Sequence, residues 1–169
     1  MAQPLVGIVM GSDSDLSIMQ EAKRVLDEFK IPSVVTVASA HRTPEKAHKF
    51  AVEAAAKGLK VIIAGAGGAA HLAGFIAAST TLPVIGVPID SSSLNGLDSL
   101  LSTAQMPGGV PVATMAIGKA GAKNAGIFAA QIIGAFDTEV ASKLVDFKQN
   151  MAEEVQRKAK AVEELMNLF

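Results

Sequence analysis

Between Leu5 and Ala135, apolar runs of strand length alternate with segments of helical spacing, and the alternation recurs five times. Leu5-Val6-Gly7-Ile8-Val9-Met10 precedes a helical stripe of Leu16, Met19, Ala22, Val25, Leu26 and Phe29. Residues 33–38 form a second run, in which Val34-Val35-Thr36-Val37 is expected to be a buried strand. A helix is expected from Pro44 to Lys57, with proline at its first position and Gly58 as its stop. Val61-Ile62-Ile63-Ala64, Pro83 to Val87 and Val110 to Ile117 supply three further strands. Helices are expected from the turn at His71 to near Thr80, over 94–105 with a disturbance at Asn95-Gly96, and over 120–135.

Strands joined through helices must lie parallel and cross over right-handedly. The runs are continuously apolar, as in a sheet covered on both faces. Half the residues are apolar, aromatics make up only 4%, and Trp and Tyr are absent. Close-packed helices on parallel strands suit that composition; a sandwich with aromatic cross-strand pairs does not. The expected fold is α/β: a three-layer, doubly wound parallel sheet, flavodoxin-like or Rossmann-like, with a long C-terminal helix. In such sheets ligands bind beyond the carboxyl ends of the strands. The turns after the first, second and third strands should therefore face one crevice.

The expected organisation is one domain over 1–169, with an α/β core over 1–136 and a charged helix over 137–169. That helix carries Val140, Leu144, Phe147, Met151, Val155, Ala159, Val162 and Met166 at steps of three or four residues, so they share one face. The stripe is longer than a compact domain needs. It can lie along its own subunit or reach over a neighbouring one, and the second is favoured.

Charge and composition exclude several functions. The formal net charge is −1, which offers no electrostatic ground for nucleic acid or an anionic membrane. Cysteine is absent, so disulfides and thiol catalysis are excluded. From Val61 to Ile89 the only ionisable side chain is His71, but Gly65, Gly67, Gly68, Gly74, Pro83 and Pro88 interrupt the stretch and argue against a membrane span. No basic leader opens the chain, and a cytoplasmic protein is expected. No histidine and carboxylate cluster has metal-ligand spacing, and no metal or cofactor is expected.

Three turns hold the candidate chemistry. Ser12, Ser14 and Asp15 stand at a helix start, where N–H groups suit an anion and Asp15 suits sugar hydroxyls; on spacing alone, ordinary capping accounts for them better. Gly65-Ala66-Gly67-Gly68-Ala69-Ala70 fits the loose dinucleotide pattern, with Asp90 as its ribose acid. Against that, the pattern follows the third strand rather than the first, and no substrate domain accompanies it. The third turn is Ala38-Ser39-Ala40-His41-Arg42-Thr43-Pro44. Arg42 can grip a phosphate bidentately, and His41 can act as acid and base, unless it merely caps the turn. His71, alone in an apolar stretch, reads better as hydrogen-bonded structure, and His48 as a solvated surface residue. These residues point to an anionic small-molecule site with a histidine acid/base. They do not name the substrate.

Four ordered motifs carry a resemblance over nearly the whole chain: Gly11-Ser12-Asp13-Ser14-Asp15, Ser39-Ala40-His41-Arg42-Thr43-Pro44, Ala64 through Leu72, and Gln105-Met106-Pro107-Gly108-Gly109 through Thr114, followed by Gly118-Lys119-Ala120-Gly121-Ala122. Together they resemble the bacterial 5-(carboxyamino)imidazole ribonucleotide mutase family of purine biosynthesis. Ala73 stands where that family often has proline, which is expected to loosen the start of the third helix. The resemblance implies movement of a carboxylate from the exocyclic nitrogen of an aminoimidazole ribonucleotide to carbon 4 of its ring. It implies His41 as the acid/base and Ser12, Asp15 and Arg42 as ribose-phosphate contacts. Ser39, Ala66, Gly67, His71 and Leu72 would complete the substrate pocket, and the assembly would be a homo-octamer. A related class carboxylates the aminoimidazole directly with carbon dioxide. A nucleotide-binding regulatory module without turnover is the alternative of a different kind.

Overall fold

The computed structural model describes residues 3–90 and 93–166. Five parallel strands form one sheet in the order β2-β1-β3-β4-β5. They are β1 Val6–Met10, β2 Ser33–Val37, β3 Val61–Gly67, β4 Val84–Ile89 and β5 Ala113–Thr114. The helices are α1 Leu16–Glu28, α2 Pro44–Glu53, α3 Leu72–Ala77, α4 Leu97–Ala104, α5 Gly118–Gly134 and α6 Thr138–Met166. This is the expected doubly wound α/β fold with its long final helix.

Strand alternation divides the core in two. Val6, Ile8 and Met10 of β1, with Val61, Ile63, Ile85 and Val87, pack against α1, α5 and the root of α6. Val9, Ile62, Ala64 and Val84 pack on the opposite face against α2 and α3. Full burial of each Val, Ile or Met among these contributes roughly 1.5–3 kcal/mol. Small residues let neighbouring helices of one layer approach: a Cβ on Gly126 of α5 would stand 2.8 Å from the Ala22 carbonyl oxygen of α1.

Several boundaries differ from expectation. Val34, Val35 and Val37 are not buried; each is 39% exposed, because β2 is an edge strand and its outer side has no neighbour. Leu16, expected in the buried stripe, is likewise exposed at the start of α1. β3 runs through Gly65-Ala66-Gly67, since pairing with Val87, Pro88 and Ile89 keeps it extended. α2 gives way to turns after Glu53, and Gly58, with φ +86°, completes the stop. α4 begins only after Asn95 and Gly96, both left-handed. β5 is two residues long and pairs only Ile85 and Gly86. The end of β4 that holds Pro88 therefore has a strand on one side alone, where proline is tolerated. α3 begins at Leu72 with Ala73 buried in its first turn, so the helix forms without the family's proline.

Asp137 starts α6, its carboxylate accepting the N–H groups of Glu139 and Val140 at 2.9 and 3.1 Å. Val140, Leu144 and Phe147 anchor the helix to the core, with Phe147 edge-on to Phe29. From Lys148 to Met166 every residue is exposed, although the apolar stripe continues. Residues 167–169 of the expected C-terminal segment lie outside the described residues.

Candidate active site

The strand order places the turns after β1, β2 and β3 side by side. Ser12 caps a single 3₁₀ turn, Asp13–Asp15, that leads into α1. Its hydroxyl accepts the Ser14 N–H at 3.4 Å, and Asp15 Oδ2 accepts the Ser12 N–H at 3.1 Å. The expected cap is therefore present, and it also turns Asp15 inward. Asp15 is only 6% exposed, and that burial pushes its carboxyl above the usual 3.8. The Ser12 N–H, the Ser14 hydroxyl and the charge of Arg42 oppose this rise without cancelling it.

The second turn is built by its hydroxyls. Ser39 Oγ accepts the N–H groups of His41 and Arg42 at 3.3 and 3.2 Å. Thr43 Oγ1 accepts the Ser39 N–H at 2.9 Å and donates to the Ser39 carbonyl at 3.2 Å. Arg42 Nη2 donates to the Gly11 carbonyl at 3.3 Å, which ties this turn to the first. The Gly11 N–H donates to the Gly65 carbonyl at 3.1 Å and ties the first turn to the third strand. Gly68, with φ +59°, then lets the chain leave β3 towards α3.

These turns enclose a cleft of about 300 Å³, lined by Gly11, Ser12, Ser14, Asp15, Ser39, Ala40, His41, Arg42, Ala66, Gly67, Ala69 and Leu72. Arg42 supplies a cation, Asp15 a carboxylate and His41 an imidazole, beside small residues and backbone. That set suits a phosphorylated, hydroxyl-bearing molecule. Among the described residues no group of histidines and carboxylates is placed to hold a metal ion.

The family model described as AIR carboxylase matches residues 5–154. The chain belongs to the AIR carboxylase family. It is 57% identical to the N5-carboxyaminoimidazole ribonucleotide mutase of Pyrococcus horikoshii over 96% of this chain and 91% of that protein. It is 60% identical to the Bacillus subtilis mutase of the same name over 90% of this chain and 94% of that one. Among solved structures, Treponema denticola PurE superposes with a TM-score of 0.83 at 30% identity, covering 91% of this chain and 95% of that one.

In this AIR carboxylase family member, Ser12, Asp15, Ser39, His41, Arg42, Ala66, Gly67 and Leu72 share one cleft. His71 is not among the lining residues; its ring stands against His41, with Nδ1 2.9 Å from His41 Nε2. His48 is exposed but bonds Ser79 Oγ at 3.2 Å. The dinucleotide pattern fails on geometry, because Gly65 and Gly67 belong to a strand and Asp90 is not a cleft residue. Gly11, Ala40 and Ala69 line the cleft through positions without a chemical signature; only their places beside the turns could have indicated them. Lys46, one turn into α2, joins Arg42 on an adjoining groove, and its place in a helix behind the turn was the available signal. The Gln105 to Val112 segment lies in the α4–β5 connection, outside the cleft lining.

Proposed function

We propose that the protein is an N5-carboxyaminoimidazole ribonucleotide mutase of de novo purine biosynthesis, an isomerase that forms 4-carboxy-5-aminoimidazole ribonucleotide. The observation that carries this reading is the convergence of Arg42, Asp15, His41 and the Gly67 backbone on one cleft, in a chain so similar to mutases along its length. Arg42 and Ser12 bind the phosphate, Asp15 binds the ribose hydroxyls, and the Ala66-Gly67 backbone with Leu72 holds the carboxylate. Ser39 acts through the turn, since its hydroxyl holds the N–H groups of His41 and Arg42.

His41 moves the proton. As imidazolium it protonates the exocyclic nitrogen; the N–C bond breaks and carbon dioxide stays in the pocket. Ring carbon 4 attacks that carbon dioxide, and neutral His41 removes the carbon 4 proton. The imidazolium is restored, so no net proton is consumed. The residues named supply every step without a cofactor.

The same reading includes a cytoplasmic homo-octamer in which the distal half of α6 lies on a neighbouring copy. Its support is the uncovered apolar stripe, with Val155 66% exposed, and the open valine edge of β2. Among the described residues no helix is long and apolar enough to cross a membrane.

Purified protein should convert the carbamate isomer to the carbon-carboxylated isomer without ATP or added bicarbonate. His41→Asn should abolish turnover and still bind the nucleotide. Activity only with aminoimidazole ribonucleotide and free carbon dioxide would replace the mutase by a direct carboxylase; binding without turnover would make it a regulatory module. Normal turnover of His41→Asn would remove the acid/base role.

A further inference from the structure

Two histidine rings, thirty residues apart in the chain, meet at the cleft wall. His41 Nε2 is 2.9 Å from His71 Nδ1, with ring centroids 4.9 Å apart and planes at 84°. Their backbones belong to different rigid turns. His41 is held by Ser39, while His71 donates its N–H to the Ala69 carbonyl and receives the Phe75 N–H on its own. No other side-chain partner of the His41 ring occurs among the described hydrogen bonds.

A bond between two ring nitrogens needs one N–H and one lone pair. If His71 were the donor, His41 Nε2 would have to remain an acceptor. Protonating His41 would then set two N–H groups against each other. If His41 is the donor, the bond survives in both forms: neutral His41 keeps its proton on Nε2, and the imidazolium gains its second proton on Nδ1. A residue that gives a proton in one step and takes one in the next passes through both forms. Only the second assignment lets it do so without breaking the contact.

We infer that His71 is a positioning residue whose Nδ1 lone pair fixes His41 as the Nε2–H tautomer, leaving His41 Nδ1 as the nitrogen that exchanges the proton with substrate. This rests on the acid/base reading of His41 given above. It also explains why a polar ring stands in an otherwise apolar stretch: its partner is the acid/base itself. His71 is exposed, while Leu72, Ala73 and Ile76 carry the packing of α3, so its ring can be replaced without opening the core.

The test combines kinetics with ¹⁵N NMR of the histidine-labelled full chain. His71→Leu should lower kcat roughly tenfold or more, the scale found when the group orienting a histidine is removed, with KM changed by less than about twofold. His71→Asn offers its amide oxygen close to the former Nδ1 position and should recover most of the rate. In the wild-type spectrum neutral His41 should carry its proton on Nε2. A kcat of His71→Leu within about twofold of wild type overturns the inference. So does an Asn variant as slow as the Leu variant, or neutral His41 protonated on Nδ1. Wild-type turnover is measured first. Its absence sinks the mutase reading, while the wild-type spectrum still decides the direction of the His41–His71 bond.

Discussion

Asp15→Asn should stabilise the fold and damage the site at once. The wild-type carboxylate is buried and titrates above its usual 3.8, because desolvation outweighs its bonds to Ser12 and Ser14 and the attraction of Arg42. As pH rises past 3.8 the unfolded chain ionises first. Stability therefore falls through the raised folded value, and at pH 7 the penalty is present in full. Asparagine removes the charge and keeps an acceptor for the Ser12 N–H. It gives up the 3.4 Å contact from Ser14, whose hydroxyl still has Ser12 Oγ at 2.9 Å. The lost bond is long and worth about 0.5 kcal/mol, whereas the desolvation that outweighs the carboxylate's bonds is relieved with the charge. Tm at pH 7 should therefore rise, and the gain should vanish in acid, where both forms are neutral. The ribose contact loses a charged acceptor worth about 1.5–3 kcal/mol, so kcat/KM should fall roughly 10- to 100-fold. Thermal melts at pH 7 and below pH 4, read beside turnover, check both halves. A lower Tm at pH 7, or a gain that persists unchanged in acid, would refute the reasoning.

Three further outcomes follow from the packing and the cleft. Arg42→Ala should weaken nucleotide binding by about 1.5–3 kcal/mol, the scale of a hydrogen bond to a charged group, and free phosphate should compete less well in equilibrium titration. Gly126→Ala should lower stability by about 1–2 kcal/mol, because overpacking against the Ala22 carbonyl costs about 2–3 and helix propensity returns about 1; urea denaturation measures the net sign. Val155→Glu with Val162→Glu changes only exposed positions of α6. Sedimentation should show dissociation of the assembly, with the far-UV spectrum of the core retained; an unchanged sedimentation coefficient would separate α6 from assembly.

The alternation of short apolar runs and helical stripes already implied a parallel sheet, because side-chain periodicity and crossover handedness are local properties. The three chemical turns were legible for the same reason. Ser, Asp, Thr, Pro and Gly act on backbone within a few residues, so their presence after a strand marks a turn wherever the strand ends up. Ser39 shows the limit of that logic. Its type was visible, but not that its hydroxyl would hold the turn under His41 and Arg42.

Tertiary structure alone decided the neighbours. Order β2-β1-β3-β4-β5 puts β1 between the two strands whose turns complete the cleft, and it leaves the valines of β2 on an edge. An apolar run looks the same at the centre and at the rim, since burial depends on strands far away in sequence. Pairing with β4 likewise kept Gly65-Ala66-Gly67 extended where their residue types suggested a turn. The contact between His41 and His71 is the plainest case. Each residue was visible alone, one as an acid/base and one as structure, and only the β1–β3 adjacency and the two rigid turns brought Nε2 to Nδ1.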